Sequence, residues 1–409
     1  MASNRRAPVP RIFLLLLVLA PLCGPAAWGQ PVPEWRPPHY PVPERAVRLR
    51  DRGVLPDTGQ DVAARVSAVL ATLQPGQTLY LDRGTYLIGA TVLIPSGVAL
   101  QGPQDRNGRP LAELVQTRPF GLWGLLNLGL LMNANYRANE IQDRGIRVTA
   151  VRFRHDSTGV LFRRVADVVI EGSTFEGGGD ATAILAGRGS IVRHSHSTGT
   201  RNGAYDHWNG TEDATVTDSV ALLATGHGIL FNAVDTGNAP RTSRGFTARR
   251  NIIRGVGADS MGIWVSPLGR GGGRITGTIT IENNDIAAPQ PGARTGGILV
   301  RAGDADLVVV RGNRVEGALG YPAIAVGPNR AEEGGADRLP ARVVVEGNDL
   351  RGNLVSRTGG VVRAWGTAVE VRGNRQDGNG FLGGGAAPAV TLCARSTPAQ
   401  EPVAAGCAD

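Results

Sequence analysis

The sequence predicts an all-β fold, a solenoid of stacked parallel strands preceded by a short helix. Three observations carry this reading. Short runs rich in Val and Ile recur from Ile146 onward and end in Asn at 251, 284, 313, 348 and 374, every 26 to 35 residues. Second strand-like runs lie between them: Gly228–Phe231, Gly262–Val265, Gly297–Val300 and Ala323–Val326. Upstream, the hydrophobic period changes from helical to strand-like at Pro75-Gly76.

Residues 1–29 read as a secretory signal peptide. Arg5, Arg6 and Arg11 precede the apolar run from Ile12 to Leu22, which is too short to span a bilayer, and Ala27-Trp28-Gly29 offers a cleavage site. A proline-rich linker is expected over 30–50. From Asp57 to Leu73, Val62, Val66, Val69, Leu70 and Leu73 recur at helical spacing. Strands follow at Thr78–Leu81, Thr85–Ile88, Thr91–Ile94 and Val98–Leu100, bounded by Gly, Pro, Asp or Ser. The solenoid is expected over 51–385. Residues 103–140 read as an insertion, with apolar Phe120–Met132 as a helix or flap. A tail over 386–409 carries Cys393 and Cys407, which an oxidising compartment would allow to pair.

One repeat cannot bury its apolar face alone and gains a core only by stacking on its neighbours. Asn suits a corner because it tolerates the left-handed conformation and bonds to copies of itself above and below. A β-propeller is the rival, but its blades need hairpin signals that are scarce here.

With these runs in view, the chain resembles the pectin lyase-like β-helix superfamily. The helix, then Gln74-Pro75-Gly76-Gln77-Thr78-Leu79-Tyr80-Leu81-Asp82-Arg83-Gly84-Thr85-Tyr86 and Val98-Ala99-Leu100-Gln101-Gly102, look like the capping region of exported members. The resemblance covers roughly residues 50–385. It implies a right-handed parallel β-helix whose N-terminal end is plugged by an amphipathic helix.

The chain contains no lysine, so lysine bases, Schiff bases and P-loop chemistry are excluded. Without the three leader arginines the formal charge falls from +8 to +5, spread along the chain. That pattern does not indicate nucleic acid, and guanidinium groups suit carboxylates. The expected protein is secreted or periplasmic, is not inserted in a membrane, and takes a polysaccharide as its partner.

Four of the six histidines fall between 194 and 227, around Tyr205-Asp206-His207-Trp208 and Gly226-His227-Gly228-Ile229. Tyr205, Asp206, His207 and His227 are the candidate catalytic residues. Arg201, Trp208, Arg254 and Trp264 are the candidate substrate contacts, with core filling as the alternative for the tryptophans. Two registers are open: Asp206 in a ladder with Leu230 and Trp264, or Asp206 over His227. A one-residue slip would reverse which side chains face out. No metal motif is present. A zinc set of His194, His196 and His207 lacks a spacing pattern, and Ca²⁺ at Asp180, Asp213, Asp218 or Asp235 lacks a compact acidic loop.

Two chemistries fit. Tyr205-Asp206-His207 is similar to the Tyr…Asp-Pro-His segment of alginate epimerases, without its proline, and implies proton abstraction beside a uronate carboxylate: β-elimination or C5 epimerisation. His and Tyr would serve as base and acid, with arginine stabilising the enolate-like charge. Gly226-His227-Gly228 looks like the Gly-His-Gly element of polygalacturonases and implies hydrolysis. However, that family's Asp-Asp pair stands here as Asp206-His207, and its Arg-Ile-Lys element is replaced by Ile263-Trp264-Val265. The expectation is therefore a lyase or epimerase, then a hydrolase, then a glycan-binding β-helix without catalysis.

Overall fold

The computed structural model describes residues 34–120, 128–222, 224–233, 242–267, 273–287, 294–327, 338–356, 360–382, 384 and 390–392. The signal-peptide, Cys393–Cys407 and Asp235 expectations lie outside these residues. Each turn of the chain contributes one strand to each of three sheets. Sheet A has twelve strands, sheet B eleven and sheet C fourteen, eleven of these along its main path, among the described residues. Every neighbouring pair in them is parallel, as in Ile191–Arg193 on Glu212–Thr217, His196–Thr198 on Val220–Leu222, and Gly203–Trp208 on His227–Asn232. The architecture is a parallel β-helix, as the repeats predict.

Alternation within each strand sends one set of side chains inward, and stacking lines identical positions into ladders. Sheet A contributes Val148, Ile170, Val192, Val216 and Ala248 in register, all buried. Sheet B contributes Phe153 and Phe175, whose rings stack at 5.0 Å. Sheet C contributes two inward ladders. One runs Val160, Thr182, Tyr205, Ile229, Ile263; the other runs Phe162, Ile184, His207, Phe231, Val265.

The corner between sheets A and B takes two residues with separate tasks. The first is left-handed in coil after coil: His194 (φ 48°), Asp218 (φ 52°), Arg250 (φ 54°), Asn283 (φ 55°), Gly312 (φ 63°). The second is the repeating Asn. Its side chain is buried and bonds to the next, so that Asn284 Nδ2 donates to Asn313 Oδ1 at 2.9 Å and Asn313 Nδ2 to Asn348 Oδ1 at 3.0 Å. The self-bonding expectation holds, but the left-handed turn belongs to the preceding residue. That position accepts arginine and histidine because the stacked corner holds the backbone in place.

At the N-terminal end a helix spans Ala63–Ala71, shorter than the expected Asp57–Leu73, and buries Ala63, Val66 and Leu70 against the first coil. Asp61 Oδ1 accepts from the backbone N–H of Ala63 and of Gly89, joining the helix start to a strand end. The proline-rich segment is no free linker. Val47–Arg48 pairs with Leu79–Tyr80 as an edge strand of sheet A. Gln101 Nε2 donates to the carbonyls of Tyr40 and Pro41, and Glu34 pairs with Arg109. Nor is 103–140 simply an insertion: Ala112–Gln116 is a strand of sheet B and Gly129–Asn133 a strand of sheet C. Phe120–Met132 is therefore not one helix, and its residues 121–127 lie outside the described set.

Candidate active site

The register question is settled by the pairing of Gly203–Trp208 with its neighbours. Asp206 stands opposite Ala183 on one side and Leu230 on the other, and Leu230 opposite Trp264. The outward ladder of sheet C thus reads Leu161, Ala183, Asp206, Leu230, Trp264. Residue 203, not 206, pairs with His227.

This register divides the expected catalytic set. Tyr205 and His207 flank Asp206, so both point into the core, and both are fully buried. Tyr205 donates its hydroxyl to the carbonyl of Val220 at 2.8 Å. His207 lies among Ile184, Phe231 and Phe246, and neither ring nitrogen has a partner among the described residues. Burial pushes its pKa down to about 3, so it is neutral at pH 7. Neither residue meets a polymer on the outside. Their assignment as acid and base is withdrawn.

Asp206 instead meets a residue the sequence reading considered only for Ca²⁺. Asp180 opens the preceding strand and pairs in register with Gly203. Glycine leaves a gap in that outward row, and the Asp206 carboxyl leans into it, where a Cβ at 203 would collide with Oδ1. The two carboxyls lie in hydrogen-bond contact. Asn202 Nδ2 bridges them, donating to Asp180 Oδ1 at 2.7 Å and Asp206 Oδ2 at 3.2 Å. Asp180 also accepts from Gly203 N at 3.2 Å and Thr158 Oγ1 at 3.3 Å. Trp208 Nε1 donates to Asp206 Oδ2 at 3.2 Å.

These partners assign the shared proton. Burial raises the pKa of both acids, and the Asp180 charge pushes Asp206 up further, well above the usual carboxylate range. Asp180 has three donors aimed at it and carries the charge. Asp206 has only Asn202 and Trp208 as donors, both on Oδ2, and the stronger upward push on its pKa, so of the pair it is the one that keeps the proton. A neighbouring pair of aspartates thus behaves as one acid.

His227 is the histidine of the expected four that stays on the outer row, one strand spacing of about 4.8 Å from Gly203. Its Nδ1 accepts from the backbone N–H of Met261 at 3.0 Å, and burial pushes its pKa down to about 4. The neutral ring therefore carries its proton on Nε2 and offers a donor there. Its ring meets Trp264 edge-on at 4.3 Å. Trp264 lies two coils from Asp206, roughly 10 Å along the solenoid.

The two arginines do not join this group. Arg201 turns to Asp156 at 3.0 Å, and Arg254 belongs to sheet B, where it pairs with Asp285 at 2.5 Å. Asp218 pairs with Arg250 at 2.6 Å. His194 occupies the left-handed corner while His207 faces the core, so the suggested zinc set does not converge.

Solved structures with this architecture share little sequence with the chain. The surface adhesin PfbA of Streptococcus pneumoniae superposes with a TM-score of 0.56 at 13% identity, over 88% of this chain and 95% of that one. The family 28 exopolygalacturonase of Yersinia enterocolitica gives 0.52 at 10% identity, over 86% and 79%. The chain has the right-handed parallel β-helix fold. The catalytic unit of a GH87 α-1,3-glucanase from Streptomyces thermodiastaticus gives 0.52 at 16% identity, over 88% and 67%. No protein-family model and no curated protein matches the sequence. Within this β-helix, the Asp180–Asp206 pair occupies the outward face of sheet C near the middle of the stack.

Proposed function

We propose that the protein is exported, with its leader removed near Gly29, and hydrolyses a polysaccharide with Asp206 as the acid. One observation carries this reading: two buried aspartates, Asp180 and Asp206, share the donor Asn202 on the outward side of sheet C, where burial and the Asp180 charge raise the pKa of Asp206. Cleaving a glycosidic bond requires a proton on the leaving oxygen, and a carboxylic acid whose pKa is raised by burial holds one at neutral pH. Asp180 then carries the charge that stabilises an oxocarbenium-like transition state. His227 Nε2–H, in the row of Asp180 and Gly203, and Trp264, in the row of Asp206, add a hydroxyl donor and a ring-stacking platform. A GH87 α-1,3-glucanase of this fold binds nigerose, which supports a saccharide as the ligand class.

The lyase or epimerase alternative needs a neutral base and a cation for the enolate-like charge. Tyr205 and His207 are in the core, His227 has its Nδ1 occupied, and both arginines are paired with aspartates. Hydrolysis asks less of what remains. A second reading is favoured by one observation: Asp206 has no exposed surface and Asp180 has 4%. A closed pair suits a glycan-binding β-helix in which the acids are structural, and PfbA is an adhesin of this fold. In the catalytic reading, Trp208, half-buried and bonded to Asp206, moves aside when substrate enters.

Incubating the purified protein with uronate and neutral polymers separates these readings. New reducing ends that disappear in Asp206→Asn support hydrolysis. Ultraviolet absorbance from an unsaturated uronate, or altered anomeric signals without cleavage, would restore elimination or epimerisation. Binding without any product would leave the glycan-binding module.

A further inference from the structure

The outward row of sheet C that holds Asp180 and Gly203 continues toward the C-terminal end through His227, Met261 and Gly296. Tyr321 comes next in it. Gly320 pairs with Thr295, and a Cβ at 296 would lie 3.3 Å from Tyr321 Cβ. The same Cβ would collide with the Met261 sulfur, so the absence of a side chain at 296 lets the thioether and the tyrosine close over that position. From Gly203 to Tyr321 is four strand spacings, roughly 19 Å along the solenoid. Trp264 lies between them in the neighbouring row.

Tyr321 is half-buried and held in place by its neighbours. Its hydroxyl donates to Asp259 Oδ1 at 3.4 Å, and the Arg294 guanidinium lies over its ring, 4.6 Å from the centroid. The backbone N–H of Asp259 in turn donates to the Arg294 carbonyl at 2.6 Å. Arg294 itself is exposed, and no carboxylate pairs with it among the described residues. Arg201 and Arg254, by contrast, are bound to Asp156 and Asp285. A guanidinium resting on a ring loses little freedom on binding and keeps its N–H edge for a ligand. That edge fits an oxyanion, which it can grip through two parallel hydrogen bonds.

We infer that Tyr321 and Arg294 form a distal subsite for an acidic glycan, taking a carboxylate or ester sulfate several sugar units from the Asp180–Asp206 pair. This subsite rests on the proposed function for its ligand class, a polysaccharide lying along sheet C, and adds the charge that the polymer carries. A short chain held at the acid pair would not reach Arg294, so recognition depends on chain length.

The test uses the mature protein carrying Asp206→Asn, with calorimetric titration of octagalacturonate, trigalacturonate and a neutral octaose with and without ester sulfates. At least one of the two anionic octamers is expected to bind more tightly than the neutral octaose, and which one does so names the oxyanion. Arg294→Ala should weaken that octamer about tenfold and leave any affinity for the trimer unchanged. The melting temperature should not move, because the side chain is exposed. Arg294→Lys, which keeps the charge without the fork, should recover part of the loss; Tyr321→Leu, which removes the ring beneath the guanidinium, should reproduce part of it. Anionic octamers that bind no better than the neutral one, or that Arg294→Ala leaves untouched, would overturn the inference. In the active background, octamer cleavage that ignores Arg294→Ala would also overturn it while leaving the hydrolase reading intact. Arg294-dependent binding without cleavage would support the subsite and let the hydrolase reading fall alone.

Discussion

At Asp206 two effects act in the same direction. Burial penalises the charged carboxylate, and the neighbouring Asp180 charge repels a second one. The folded protein therefore holds a proton that the unfolded chain loses near pH 4. Stability contributed by that proton is complete below pH 4 and declines as pH rises toward the folded pKa. Asn at 206 mimics the protonated acid and can still donate to Asp180. Asp206→Asn should thus cut hydrolysis by about 10²-fold or more, yet melt at a higher temperature than the wild type at pH 8. His207 behaves in the opposite sense. Its folded pKa of about 3 lies below the ordinary value, so stability is lost as pH falls from about 6.5 toward 3. His207→Leu should keep activity within about twofold and flatten the acid side of the stability profile, measured by thermal unfolding between pH 3 and 7.

Residue types alone marked the right neighbourhood and misjudged which side chains reach outward. Tyr205, Asp206 and His207 are consecutive, so strand alternation allows either Asp206 or its two neighbours to face out, but not all three. Only register decides, and register is a property of the neighbouring strands. Asp180 was legible in principle. Setting Gly179-Asp180-Ala181-Thr182 over Asn202-Gly203-Ala204-Tyr205 places it against a glycine, where a second carboxyl has room.

Among the elements, the corner ladder and the outer charge row of sheet A make contrasting contributions. The charge row alternates down the stack as Arg249, Glu282, Arg311, Glu346 and Arg372, with pairs at 3.4, 3.2, 3.4 and 2.7 Å. These arginines are exposed, so Arg311→Ala should cost only about 0–1 kcal/mol. Asn313 is buried and joined to both neighbours and to the carbonyl of Ile281. Asn313→Ala strands several groups at once and should cost about 2–4 kcal/mol by denaturant unfolding. The Asn repeat was the clearest signal in the sequence because this penalty leaves few substitutes. The strap and the strands within 103–140 were illegible for the converse reason. Their residues depart from the repeat, and only their partners in the first coils make them part of the solenoid.

For the whole molecule, the stack explains how a chain of short, weak strands becomes a scaffold. The helix Ala63–Ala71 covers an end that would otherwise present core and strand edge. Removing residues 34–72 should therefore yield aggregation, read by light scattering, in place of a shortened soluble solenoid. The central claim is that Asp180 and Asp206 act together as the acid of a polysaccharide hydrolase. The most direct measurement is reducing-end release from a panel of uronate and neutral polymers by the wild type, Asp206→Asn, Asp180→Asn and His207→Leu. The account predicts cleavage by the wild type and His207→Leu and near-complete loss in both aspartate variants. Cleavage that survives Asp206→Asn, or is abolished in a folded His207→Leu, would contradict it.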